Sequence, residues 1–236
     1  VLHNVPAPDI AGLKVAPSVY CTWSFYGWDL TPQDMDDELN WFQAHRWPID
    51  VFQIDESWEP HFGDWQTRPE WGDASMEGYA RRIRDLGYTA GIWTCPYLAD
   101  VSSQLATEHP EWMLKKTDGE FVIFPMNYHD NYVLDPTHPE VQEWLAGLYR
   151  RLTQEWGYTY HKFDFTRAVA LAKDVAFHDP TATRAQAYRR GFEVIRQAVG
   201  AEGYMLICGG LYLPSIGLAD GQRAGSDVTA KWTGPR

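Results

Sequence analysis

Tyr158-Thr159-Tyr160-His161-Lys162-Phe163-Asp164-Phe165 is the stretch on which the fold turns. Its β-branched and aromatic residues predict a strand. Alternation with period two puts Lys162 and Asp164 on one face. Charges closing an otherwise apolar strand fit a strand whose end opens into a site. On its N-terminal side, Pro139 opens a helical stripe of Val141, Trp144, Leu145, Leu148 and Leu152 that ends before Gly157. On its C-terminal side, Tyr188, Phe192, Ile195 and Val199 form a second stripe, stopped by Gly200. The strand therefore lies between two helices.

The same alternation continues outward. Val19–Trp23, Asp50–Asp55, Thr89–Pro96, Tyr204–Cys208 and Ala224–Val228 read as strands, with Tyr132–Asp135 as a further short extended piece. Between them, Thr31 and Pro32 read as N-cap and first helical residue, followed by Asp34 and by Met35, Leu39 and Phe42 at helical spacing. Met76, Tyr79, Ile83 and Leu86 make another stripe before Gly87. Strands alternating with helices predict parallel βα units. Trp23, Asp55, Trp93, Asp164, Cys208 and Asp227 fall at strand C-terminal ends, which converge on one face of a (β/α)8 barrel. The glycine-rich phosphate loop of a doubly wound sheet does not follow the first strand.

The expected fold is α/β, a parallel (β/α)8 (TIM) barrel, with about six βα units before the chain stops at Arg236. Residues 1–18 are expected to be an extension or linker to an N-terminal β domain, and 19–236 the catalytic barrel without its last units. Such a sheet leaves open edges, which predicts poor stability as an isolated monomer.

Composition narrows the partners. With 20 Lys and Arg against 32 Asp and Glu, the net charge of −12 disfavours nucleic acid and anionic membranes. No apolar run is long enough for a membrane span. Cys21, Cys95 and Cys208 are odd in number and far apart, so neither a disulfide framework nor a zinc spacing follows; a reduced, cytoplasmic setting is expected. No metal or other cofactor is expected, because the histidines form no HExxH pattern and the acids no calcium loop. No serine sits in a G-x-S-x-G elbow, which weakens an esterase reading. Aromatic residues make up 15% of the chain, enough to supply both core packing and platforms for the C–H faces of sugars.

Retaining glycoside hydrolysis needs two rigidly held carboxyl groups, about 5–6 Å apart. Asp164, with Lys162 two residues away, suits a nucleophile, and Asp227, four residues after Arg223, a proton donor. The plain alternatives are a structural ion pair and a turn aspartate. Asp55 and Glu56, next to Trp58, could grip vicinal hydroxyls beneath a ring, or belong to an ordinary loop.

Together these segments resemble the family 36 glycoside hydrolases, the bacterial α-galactosidases in particular, from about Val19 to Trp232. Lys162-Phe163-Asp164-Phe165 is similar to the family's nucleophile strand. Cys208-Gly209, Pro214, Gly217, Asp220-Gly221, Arg223, Gly225 and Asp227 are similar to its acid/base segment. Gly63-Asp64-Trp65, Gly91-Ile92-Trp93-Thr94 with Pro96, and His109-Pro110-Glu111-Trp112 also resemble it. The resemblance implies Asp164 as nucleophile and Asp227 as acid/base. It implies Asp55 and Glu56 at the galactose O4 and O6 edge, Lys162 and Arg223 on the O2 and O3 side, and Trp93, Cys208 and Gly209 along the pocket. Where the family has two consecutive aspartates, this chain has Asp55-Glu56, which leaves another α-linked hexose open. The implied activity is hydrolysis of terminal α-galactose with an oligosaccharide or α-galactoside as partner. Galactosyl transfer, a related α-glucosidase or α-N-acetylgalactosaminidase, a non-catalytic carbohydrate-binding barrel and a homo-oligomeric state remain open.

Overall fold

The computed structural model describes residues 14–126 and 129–228. The extension expected over residues 1–18 falls outside these up to residue 13, as does the end of the resemblance at Trp232. Six parallel strands form the central sheet: β1 (Val19–Cys21), β2 (Val51–Ile54), β3 (Thr89–Thr94), β4 (Tyr160–Phe163), β5 (Tyr204–Ile207) and β6 (Gly221–Gln222). They pair in chain order, each with the next. Four long helices fall between them: α1 (Pro32–His45), α2 (Met76–Asp85), α3 (Pro139–Arg150) and α4 (Arg184–Val199). This is the strand–helix alternation expected for a parallel barrel, present as a curled six-stranded sheet.

Local chemistry sets the boundaries. Thr31 and Asp34 form a reciprocal capping box at the start of α1, with Pro32 in the first turn. Gly87 and Gly200 adopt φ of 90° and 78° just past α2 and α4, where a side chain would be strained. One face of the sheet packs on the helices through Phe52, Ile54, Ile92, Phe163 and Ile207, all fully buried. Gly91 lies where an added Cβ would stand 3.0 Å from both Gln53 Cβ and Val51 Cγ1, so glycine lets β3 approach β2 closely.

Two expected elements are corrected. The sixth strand is Gly221–Gln222, not Ala224–Val228. Asp220 decides this: its carboxylate accepts the Met205 N–H at 2.8 Å and pairs with Arg196 at 2.5 Å. That anchor brings Gly221 opposite Leu206, and pairing ends as Arg223 N–H reaches Ile207 O at 2.9 Å. Residues 224–228, with Gly225 and Ser226, continue without strand structure. The extended piece at Tyr132–Asp135 belongs to Asp130–Val133, the middle strand of a small antiparallel sheet with Leu98–Asp100 and Ile123–Pro125. Its partners lie within the same β3–α3 excursion, close enough in sequence to pair antiparallel without a helical crossover.

Candidate active site

Register and alternation build the site. Gln53 is opposite Gly91, and Trp93 opposite Lys162, so Gln53, Asp55, Trp93, Lys162, Asp164 and Cys208 share the sheet face turned away from the helices. Lys162 reaches past β3 and sets its ammonium 2.8 Å from Asp55 Oδ2. A contact spanning an intervening strand requires this face to be concave. The same carboxylate oxygen accepts from Cys21 Sγ at 3.2 Å and from Gln53 Nε2, while Asp55 N–H donates to Thr22 Oγ1 at 2.9 Å. Burial works against the Lys162 charge, but Asp55, with Cys21, Asp164 and Cys208, holds this ammonium well above the usual lysine range.

Asp164 follows β4 directly. Phe165 sits at φ 50°, a left-handed turn that aims its N–H at Asp164 Oδ1, 2.8 Å away. Trp93 Nε1–H donates to Oδ2 at 3.4 Å. The carboxylate is thus fixed from both ends while remaining partly open to solvent. Gly209, at φ 56°, lies beside it: a Cβ there would meet Arg167 Nη1 at 2.4 Å and stand 3.5 Å from Asp164 Oδ1. The neighbouring Cys208 thiol is pushed up to about 12 by burial and by Asp164.

Arg223 is the partner of Asp227. Its Nη1 pairs with Asp227 Oδ1, and its Nε is buried without a partner among the described residues. Burial works against its charge, yet Cys208, Asp227 and Asp164 hold it above the ordinary arginine value. The guanidinium therefore lies within electrostatic reach of both Asp164 and Asp227. Asp164 thus has the Trp93 edge, the Phe165 N–H and the Lys162 cation around it, and Asp227 has Arg223.

Glu56 follows Asp55, and its Oε1 accepts from Trp28 Nε1–H at 3.0 Å. Trp58 is a correction. Its ring is fully buried, and its N–H donates to Trp93 O at 3.0 Å among Trp65 and Trp156, so it supports the sheet and has no face for a ligand. Sequence reasoning missed Cys21, Gln53, Trp28, Glu59 and Arg167. Alternation with Asp55 was a usable signal for Gln53; the others arrive through tertiary contact. Among the described residues no three His, Cys, Asp or Glu side chains converge as a metal ion requires.

Comparison with known proteins finds this chain similar to glycosidases. The family model described as Melibiase matches residues 14–198. The α-galactosidase TtGalA of Thermus thermophilus, solved in complex with stachyose, is 35% identical with a TM-score of 0.82, over 94% of this chain and 46% of that one. Myogenesis-regulating glycosidase of Mus musculus is 25% identical over 75% of this chain and 25% of its own length. α-Galactosidase 2 of Pediococcus pentosaceus is 24% identical over 80% of this chain and 26% of its own. The chain thus spans about a quarter of the length of these curated relatives.

Proposed function

The chain belongs to the Melibiase family, and on that premise we propose that it carries the catalytic carboxyl groups of a retaining α-galactosidase. A terminal α-linked galactose enters the concave face at the strand C-terminal ends. Asp227, protonated, donates to the leaving oxygen as Asp164 attacks the anomeric carbon. The product is a covalent glycosyl-enzyme and a free aglycone alcohol. Water then gives a proton to Asp227, attacks the anomeric carbon and releases the sugar with its configuration retained.

One observation carries the reading: Arg223 pairs with Asp227 and lies in the field of Asp164, and its buried Nε has no hydrogen-bond partner among the described residues. The sugar hydroxyls on the O2 and O3 side compete for this guanidinium. As they take it, the Arg223–Asp227 pair opens and frees Asp227 for proton transfer. Lys162, locked to Asp55, adds a second fixed cation beside Asp164. Trp93 and the Phe165 N–H keep the nucleophile from rotating. Asp55 and Glu56 grip the O4 and O6 edge.

The test is hydrolysis of aryl α-glycosides by the wild type and two variants. Asp164→Asn should abolish turnover of the α-galactoside. Asp227→Asn should slow substrates with poor leaving groups by roughly 10²–10⁴-fold and activated aryl galactosides much less. Comparison of the galactoside, glucoside and N-acetylgalactosaminide identifies the sugar. Undiminished activity in Asp164→Asn would end the proposal.

A further inference from the structure

A cavity of about 590 Å³ adjoins the proposed sugar site through Glu56. Glu56, Glu59, Asp100 and Asp130 all line it, and among the described residues Arg68 is the one lysine or arginine that does. Arg68 is bonded within the cavity wall, and its single charge opposes those of Glu56 and Asp55 at Glu59. Its Nη1 donates to Ser57 O at 3.1 Å and to Ser57 Oγ at 3.3 Å, and its Nε faces Glu70 at 3.7 Å. Two histidines flank Asp100, with His61 Nδ1 at 3.8 Å and His129 Nε2 at 3.6 Å from its Oδ2. Burial holds His129 below the ordinary histidine value, so this ring adds no positive charge at neutral pH. The wall is therefore acidic.

Glu59 is the second, separate observation. It is 5% exposed, yet its Oε2 has no hydrogen-bond partner among the described residues. A buried carboxyl oxygen without a partner is costly. Burial, then the charges of Glu56 and Asp55, keep this carboxyl well above the usual carboxylate range. An anion entering the cavity would be repelled. A neutral hydroxyl would leave the acidic wall uncompensated. A bare divalent ion would lack three converging ligands. A primary ammonium supplies positive charge and three donors in one group, and its charge favours the ionised form of Glu59, which gives its proton to solvent as the amine enters.

We infer that this cavity is a subsite for a primary ammonium group carried on the glycone, so that the substrates include α-linked aminohexosides whose amine lies on the edge facing Glu56. The inference rests on the α-glycosidase reading, which puts Glu56 at the O4 and O6 edge, and it predicts that an amine at C6 enters the cavity and bonds Glu59.

Calorimetric titration of the protein with D-galactose, 6-amino-6-deoxy-D-galactose and 6-acetamido-6-deoxy-D-galactose tests it. The amino sugar should bind about tenfold to a hundredfold tighter than galactose, as a charge-assisted hydrogen bond allows. The acetamido sugar, which keeps the nitrogen but is bulkier and uncharged, should lose that advantage, and galactose, with a hydroxyl of similar size at C6, is the uncharged reference. Glu59→Gln should lose it as well, with a thermal melt to show that the variant is folded. An amino sugar that binds no better than galactose, or whose advantage survives both Glu59→Gln and acetylation, overturns the inference. Tight amino-sugar binding without any α-galactoside hydrolysis would instead sink the proposed activity and leave the subsite standing.

Discussion

Lys162 and Asp55 are 107 residues apart in sequence, and their side chains meet at 2.8 Å across the strand that separates them. Both are nearly inaccessible to solvent. A buried pair of this kind gives little net stability, because desolvation of both charges offsets their attraction. It fixes position: Lys162 is held beside Asp164, and the sheet must curl for the pair to form.

Breaking the pair from one side should therefore cost more than removing it. Lys162→Met leaves Asp55 without its ammonium and is expected to destabilise the protein by about 3–5 kcal/mol. Adding Asp55→Asn should recover much of that loss. Urea denaturation of the two single variants and the double variant measures the coupling, and strictly additive losses would show that the contact has no such role.

His161 gives a pH signature. Its ring is buried, with Nε2 2.9 Å from Thr153 Oγ1, and burial depresses it from 6.5 to about 3. Between those values the unfolded chain binds a proton that the folded chain refuses. Stability should therefore rise with pH across that window, and this residue adds about 1.4 kcal/mol per pH unit. His161→Gln keeps a partner for Thr153 and removes the titration. Its stability against pH should be flatter than wild type between pH 6 and 3 by about that slope; parallel curves would contradict the assignment.

Ser57 holds a φ of 101°, which non-glycine residues rarely adopt. Its hydroxyl donates to Trp28 O at 2.9 Å and accepts from Arg68. Ser57→Val combines a β-branched side chain with loss of both bonds, and a cost of roughly 1–3 kcal/mol is expected. Ser57→Gly relieves the backbone while losing the same bonds, so it should be the milder change. Urea midpoints that rank valine above glycine would refute this account of the turn.

The thiol beside the proposed nucleophile should be unreactive. Burial and Asp164 push Cys208 up to about 12, so at pH 8 almost none of it is thiolate. Alkylation by iodoacetamide, followed by peptide mass spectrometry, should leave Cys208 intact at pH 8 under conditions that consume free cysteine. Reaction at the free-cysteine rate would mean that the site is more open, or more cationic, than its geometry implies.

The strand–helix alternation, the caps on Thr31 and Pro32 and the five strands from Val19 to Ile207 are legible along the chain, because each is written in neighbouring residues. The sequence also puts Asp164 and Lys162 on one face, since alternation is a property of the strand alone. Only tertiary structure decided the rest. Asp220 sets the sixth strand through Met205 and Arg196, contacts too remote for local pattern to show. Trp58 reads like a sugar platform in sequence, and only packing against Trp65 and Trp156 makes it core. Nothing in the sequence marks Glu59; the fold buries it and leaves its Oε2 without a hydrogen-bond partner among the described residues. Capping hydrogen bonds and periodicity act over a few residues and are legible along the chain. Burial and electrostatic coupling act through space, and they exist only once distant segments have met.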